Sequence, residues 1–326
     1  MKTKSKNKKL RIALGICIPL IIIIAAALAV VMKYGPTFGF YLVPPSAETY
    51  GKNALSTIDK NGIFAGNDEW KSTYNECLKM IENAQSYDDT YDAIRKALSV
   101  GGGKHSMLMT KSESQNTTES YDEVLPTVSL DGNIAIIKLP DFLGTAEAGQ
   151  KYAKIAEDFI HENRDKIKGV VLDLRGNTGG DMGPMATAVS SLLPDGELVY
   201  YHYRSYDVPV TLKNGVVSNA GTGGKSLYPE EKLNVPVAIL TDDMTASSGE
   251  ALTLCFRGLE NTRTFGAPTA GYTSVNMLYN MYDGAQMYLT VAFDKARTGE
   301  IFKETPIEPD VATDSPLKAA LEWLRG

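Results

Sequence analysis

The sequence predicts an α/β fold with a largely parallel sheet. Short apolar runs at 133–139, 168–174 and 236–242 have the length and β-branched content of buried strands. Amphipathic patterns typical of helices occupy 147–166 and 181–193, and a further helical pattern follows the third strand. Strands that alternate with helices indicate parallel strands joined by helical crossovers.

Upstream of this pattern, residues 12–32 run without a charge for long enough to cross a hydrocarbon layer of about 30 Å. Six basic residues precede this run, so the positive-inside rule places the N-terminus in the cytoplasm and the rest outside the cell membrane. A cleaved signal peptide is the alternative, because Ala27-Leu28-Ala29 resembles a cleavage site. The sequence predicts five segments: a cytoplasmic basic tail 1–11, a transmembrane anchor 12–32, a linker 33–47, a helical region 48–100 and an α/β core 101–326.

Charge and cysteine usage exclude several classes of partner. The chain beyond Met32 carries a net charge of about −12, which disfavours nucleic acid and permits a cationic partner. The three cysteines form no metal-ligand spacing, although a Cys77–Cys255 bridge stays open. The glycine-rich stretch 219–226 lacks the first glycine of a phosphate loop and follows no predicted strand. We therefore expect no metal, no cofactor and no nucleic-acid partner.

Residues 241–250, TDDMTASSGE, place two serines where a strand should turn into a helix. Ser247 and Glu250 have the spacing of a capping box, which would only start the helix. A nucleophilic serine is the alternative, and it needs a base within hydrogen-bond reach and donors for the developing oxyanion.

Candidates for both groups lie elsewhere in the chain. His105 follows the glycine stop 101–103 and enters a strand-like run, a usual place for a functional side chain. His161 lies on the polar side of its helix, and His202 lies in a strand with no assigned face. The glycine-rich turn 175–184 can present bare backbone N–H groups to an anion.

Four motifs in order resemble the tail-specific, or C-terminal processing, serine peptidases, a family with a tricorn-like branch. They are LDLRGNTGG, TASSGE, FGAPTAG and IEPDV, and the resemblance covers roughly residues 100–315. It implies a crotonase-like α/β spiral core and a peptide substrate. It also implies that Ser247 is the nucleophile and that the Gly180 and Ser248 amides form the oxyanion hole.

The sequence departs from this family at the base. Tyr272 stands where many members carry a catalytic lysine, so the tricorn-like branch, which uses a histidine, is the better match. By that resemblance His105 is the base, and Glu304, or else Glu308, helps to order the histidine. Substrate binding is expected at Gly179, Tyr272 and Asn276.

About two dozen residues separate Met109 from Asn133, too few for the PDZ domain found in many relatives. The chain resembles the nisin-resistance subgroup of this family in its anchor, its helical region, its Ser/His pair and its lack of room for a PDZ domain. Its extracellular members cleave cationic lanthionine peptides near their C-terminus. The alternatives are a general C-terminal processing peptidase of extracellular proteins, or a protein of the same fold that binds peptides or hydrophobic ligands without turnover.

Overall fold

The computed structural model describes residues 2–35, 40–120 and 124–326, with side chains omitted at 2–14, 16 and 116–120. The side chains of the predicted basic tail and residues 36–39 of the predicted linker therefore lie outside the described residues. The chain divides into two compact units, the first comprising 1–118 with 277–289 and the second 119–276 with 290–326. The predicted segment boundaries stay a prediction.

The helices are α1 (Lys2–Tyr34), α2 (Ala47–Asn61), α3 (Asp68–Met80), α4 (Tyr91–Gly101), α5 (Lys111–Ser120), α6 (Ala146–Asn163), α7 (Met182–Ala188), α8 (Ser248–Phe256) and α9 (Pro316–Arg325). The strands are β1 (Met107–Met109), β2 (Thr127–Asp131), β3 (Ile134–Lys138), β4 (Gly169–Asp173), β5 (Gly196–Tyr203), β6 (Asp207–Lys213), β7 (Val216–Ser218), β8 (Gly224–Lys225), β9 (Val237–Thr241), β10 (Thr262–Gly266), β11 (Ser274–Asn280), β12 (Gln286–Ala296), β13 (Ile301–Phe302) and β14 (Val311–Ala312).

The first unit is mainly helical, as the sequence predicts for residues 48–100. Side chains of Ser46 and Asn67 cap the N-termini of α2 and α3 by accepting backbone hydrogen bonds. Within α1, Cys17–Tyr34 is long and apolar enough to cross a membrane, a property that a signal sequence shares. Strand β1 pairs antiparallel with the beginning of β12, with Met107 opposite Tyr288.

The second unit contains the predicted α/β arrangement. A six-stranded sheet has the order β14-β10-β9-β4-β3-β2, and its strands are parallel except for the β2–β3 hairpin. A second, antiparallel sheet comprises β5, β6, β7 and β8 with the end of β12 and β13. Residues 197–203 are predicted as a strand from the sequence and correspond to β5, whereas the polar strands that follow it were not predicted.

Both faces of the parallel sheet are buried. Along β4, Val170 and Leu172 face a large core that includes residues of α6, α7 and α8. Val171, which points the opposite way, packs in a smaller cluster with Ala320 of α9. This explains why β4 is an uninterrupted apolar run rather than an alternating pattern.

The predicted strands at 133–139, 168–174 and 236–242 are confirmed, and so is the helix at 147–166. The helix predicted at 181–193 is too long. The structure ends α7 at Ala188, and a 3₁₀ turn follows at Ser190–Leu192. The Lys232 ammonium donates to the carbonyls of Ser190 and Leu193, and Ser190 O also accepts from Leu193 N–H (3.3 Å). These carbonyls are therefore satisfied although the α-helix does not continue.

Sheet order explains why distant motifs meet. Strands β3, β4, β9 and β10 are parallel neighbours, so the loops after them emerge at the same edge. These loops contain Phe142, the RGNTGG turn, the TASSGE helix start and the FGAPTAG turn. The carboxyl edge of neighbouring parallel strands is where α/β proteins bind ligands.

Candidate active site

Ser247 immediately precedes α8, and its backbone adopts an unusual conformation, with φ of 50° and ψ of −115°. A residue with a Cβ holds such angles at a cost of about 1–3 kcal/mol, and only when surrounding contacts impose them. Its N–H donates to Glu250 Oε2 (2.9 Å), and its carbonyl accepts from Ala251 (2.9 Å). The carboxylate half of the predicted capping box is therefore present. Because strain of this kind clusters at functional positions, it favours the nucleophile interpretation over a cap alone.

The Glu250 carboxylate, which has no exposed surface, joins the serine loop to the FGAPTAG turn. Besides Ser247, it accepts hydrogen bonds from the Thr269 hydroxyl and from the amides of Gly271 (2.8 Å) and Tyr272 (2.8 Å). Burial raises the pKa of Glu250, while these four donors oppose the rise because they stabilise the charged form. Glu250 thus fixes the backbone of Ser247 and of Tyr272 through one side chain.

Gly179 lies directly against Ser247. A Cβ on Gly179 would be 2.8 Å from Ser247 Cβ and 3.1 Å from Ser248 N, and the φ of Gly179 is +109°. A Cβ on Gly180, whose φ is +99°, would be 2.1 Å from Phe142 O. Only glycine permits this backbone conformation and this closeness, so the glycine pair brings the turn into contact with the serine.

Two backbone amides, those of Gly180 and Ser248, are expected to bind an oxyanion, and this role stays a proposal. The Gly179 carbonyl accepts from Phe142 N–H (3.1 Å), so across the trans peptide the Gly180 N–H points away from Phe142. Ser248 N–H begins α8, where a helix leaves its first amides unpaired. Within 124–326, neither amide donates to a protein acceptor. The Ser248 hydroxyl donates to the Gly180 carbonyl and ties the two segments together.

Asn177, which is fully buried, supports both loops. Its side-chain oxygen accepts from Gly179 N–H (2.9 Å), and its amide nitrogen donates to Leu139 O (3.0 Å). Its backbone carbonyl accepts from Ala246 N–H (2.9 Å). Asn177 therefore connects the end of β3, the glycine turn and the serine loop, and it fixes the orientation of the Gly179 peptide.

A second buried acid, Asp294 on β12, has 1% of its surface exposed. Neither of its carboxylate oxygens has a hydrogen-bond partner in the described part of the chain. Burial, and to a lesser degree the charge of Glu250, raises the pKa of Asp294 well above its ordinary value. Burial therefore disfavours the charged form of Asp294.

The remaining expected site residues of the second unit lie beyond the FGAPTAG turn. The Tyr272 carbonyl accepts from Ser274 N–H (2.8 Å). The Ser274 hydroxyl donates to Glu304 Oε1 (3.3 Å), and Glu304 has a positive φ of 53°. The Asn276 side chain accepts from the Thr290 hydroxyl (2.7 Å). The structure thus joins Ser247, Ser248, Gly179, Gly180 and Tyr272 in one group. The catalytic and binding roles expected of these residues, and of Asn276 and Glu304, stay proposals.

His105 belongs to the first unit, in a turn directly before β1, and it is half-buried. Its pairing with Ser247 stays a proposal. The other two histidines have carboxylate partners on the surface. His161 Nδ1 lies 2.9 Å from Glu231 Oε1, and the His161 ring stacks on that of Tyr228. His202 Nδ1 lies 2.6 Å from Asp207 Oδ1.

The described residues include no cluster of His, Cys, Asp and Glu that could hold a metal ion. Cys77 and Cys255 are both buried and both unbridged. The alternative of a Cys77–Cys255 disulfide is therefore not realised.

Sequence reasoning missed three residues of the site. Asn177 was treated only as part of a glycine-rich turn, Phe142 was not noticed, and Glu250 was treated only as a capping residue. An asparagine within a glycine-rich turn after an apolar strand is a signal that the sequence carries. The hydrogen bonds from Glu250 to residues 269–272 depend on strand order.

The chain belongs to peptidase family S41, whose profile matches residues 133–313. It is a serine peptidase related to the C-terminal processing, or tail-specific, proteases.

Among its relatives, the nisin-resistance protein of Lactococcus lactis subsp. lactis is 36% identical over 318 residues, which cover 97% of this chain and 99% of that protein. The carboxy-terminal processing protease CtpA of Bacillus subtilis is 29% identical over 60% of this chain and 38% of that protein. The solved structure of a lipoprotein from Streptococcus agalactiae superposes with a TM-score of 0.77 at 30% identity, covering 88% of this chain and 98% of that one.

Proposed function

We propose that this protein is a membrane-anchored serine endopeptidase that faces outward and cleaves cationic lanthionine peptides of the nisin type near their C-terminus. The observation that carries the proposal is the strained Ser247 backbone, in contact with Gly179 and beside two available amides. The core would have the crotonase-like spiral form. Similarity to the nisin-resistance protein along nearly the whole chain supports the substrate class.

In the proposed mechanism, His105 accepts the proton of the Ser247 hydroxyl as its oxygen attacks the scissile carbonyl. The Gly180 and Ser248 amides stabilise the negative oxygen of the tetrahedral intermediate. His105 then donates the proton to the leaving amine, and water releases the acyl group from Ser247. Glu304 would order the surroundings of His105, while Gly179, Tyr272 and Asn276 would contact the substrate.

The distribution of charge along the chain supports a cationic substrate and an external location of the peptidase. The part of the chain beyond the apolar helix carries about −12, which attracts a cationic peptide by long-range electrostatics. The basic residues before that helix favour a cytoplasmic N-terminus and an external peptidase. Since the substrate is an extracellular antimicrobial peptide in this proposal, both features serve the same function.

The test digests nisin with the full-length protein in detergent and measures the fragments by mass spectrometry. We expect one fragment that lacks the C-terminal residues, and its formation should fall by orders of magnitude in Ser247→Ala and His105→Ala. His161→Ala is the matched control, because it removes a histidine that is paired with Glu231 on the surface. Intact nisin beside cleavage of ordinary linear peptides would instead support a general C-terminal processing peptidase.

A further inference from the structure

Leu143 lies beside Gly180, the residue whose amide is proposed to bind the oxyanion. Its Cδ2 is 3.4 Å from the position that a Cβ on Gly180 would take. Despite this central position, 54% of Leu143 is exposed. An exposed leucine elsewhere on a surface needs no explanation, but one beside a glycine of the proposed oxyanion hole lies next to the proposed reaction centre.

The support beneath Leu143 is rigid. The neighbouring Phe142 has only 2% of its surface exposed, and its ring packs on Tyr152 with a centroid separation of 5.1 Å. Phe142 N–H donates to Gly179 O (3.1 Å), and its carbonyl accepts from Asp181 N–H (2.7 Å). The backbone next to Leu143 is therefore fixed relative to the glycine pair. A side chain that determines substrate specificity needs such a rigid support.

The serine loop offers a second apolar side chain. Met244 precedes Ser247 by three residues and is 54% exposed, and its N–H donates to Asp242 Oδ1 (3.1 Å). Methionine is flexible and polarisable, so it adapts to apolar groups of different shape. Two of the loops that form the site thus each present an exposed apolar side chain.

We infer that Leu143, with Met244 as a secondary contact, forms the subsite for the residue that supplies the scissile carbonyl, and that this residue carries a bulky apolar side chain. The inference depends on the proposed catalytic role of Ser247 and Gly180. The reason is geometric: the carbonyl oxygen must reach the Gly180 amide, and the side chain starts one bond from that carbonyl carbon, within reach of Leu143.

The test uses the p-nitrophenyl esters of N-acetyl-leucine and N-acetyl-alanine, in which the acyl residue is the one that enters the subsite. The measured quantity is the ratio of kcat/KM for the two esters after subtraction of the Ser247→Ala background. A ratio is independent of the fraction of active enzyme. Leu143→Ala should lower the leucine preference by about tenfold, since apolar pockets discriminate by about 10–200-fold per methylene.

Two further variants sharpen the result. Leu143→Met should retain the leucine preference, because it keeps an apolar side chain of similar volume. Leu227→Ala is the matched control. Leu227 is 47% exposed in the same unit, and its amide donates to Glu157 on α6 rather than to the glycine turn. Its ratio should equal that of the wild type.

An unchanged ratio in Leu143→Ala, with Ser247-dependent hydrolysis intact, would overturn the subsite and leave the proposed function standing. An equal fall in Leu227→Ala would overturn it as well. Absence of any Ser247-dependent hydrolysis in the wild type would instead contradict the proposed function, and the subsite with it.

Discussion

Replacing Gly179 with alanine tests whether the glycine turn positions the nucleophile. The added methyl would be 2.8 Å from Ser247 Cβ, where ordinary contact begins at 3.4 Å, so one atom must move by about 0.6 Å. A misplacement of about 1 Å can cost about 100-fold in rate. We therefore expect kcat for ester hydrolysis to fall by about 10–100-fold. Stability should fall too, by about 1–3 kcal/mol from the overlap, with a further strain from the φ of +109°.

Gly176→Ala is the matched control in the same turn. Gly176 also has a positive φ, of +73°, but a Cβ there meets nothing within 4 Å. It should lose about 1–2 kcal/mol of stability through the left-handed backbone alone, with kcat within about threefold of wild type. Urea unfolding and ester hydrolysis on both variants separate the two effects. Equal kcat values for Gly179→Ala and Gly176→Ala would refute the positioning role of Gly179.

Two more predictions concern the buried acids. Glu250→Gln should lower kcat by about 100-fold, because an amide NH₂ would face N–H donors at the junction of Ser247 and Tyr272 and leave about 1–3 kcal/mol of hydrogen bonding unmade. Glu231→Gln is the control, because the half-buried Glu231 pairs with His161 away from the serine loop. A retained kcat in Glu250→Gln would be inconsistent with this role. Asp294→Asn should be more stable than the wild type, by an amount that grows as the pH rises. Burial raises the pKa of Asp294 above its ordinary 3.8, so the folded state keeps a proton that the unfolded chain loses. The free energy of unfolding of the wild type therefore falls, relative to that of the variant, as the pH rises above about 4. Urea unfolding should show equal stability near pH 3.5 and a more stable variant at pH 8; a difference that does not grow with pH would contradict the account.

The parallel sheet was predictable because its strands are buried on both faces and therefore form continuous apolar runs. Val170, Val171 and Leu172 are all buried, although they point to alternate faces. The antiparallel sheet was harder to find, since a strand such as β6 mixes exposed and buried residues with a proline at Pro209. The length of α7 was overestimated because the hydrogen bond that Lys232 donates to Ser190 O, just after the helix, cannot be inferred from the local sequence. Lys232 lies more than 40 residues further along the chain.

The site was predictable as motifs but not as an assembly. Ser247, Gly180 and Ser248 were proposed as site residues from local spacing and from resemblance. The central position of Glu250 could not be inferred, because its partners at 269–272 become neighbours only through the parallel pairing of β9 with β10. The strain at Ser247 is likewise a product of those contacts, and no local pattern encodes it.

The most direct test of the Ser247–His105 account is labelling of the full-length protein with a serine-directed fluorophosphonate, followed by fragment sequencing of residues 233–257 by mass spectrometry. We predict a single adduct on Ser247, absent in Ser247→Ala, slowed at least 100-fold in His105→Ala and unchanged in His161→Ala. An adduct on Ser248, or labelling that proceeds at the wild-type rate in His105→Ala, would contradict it.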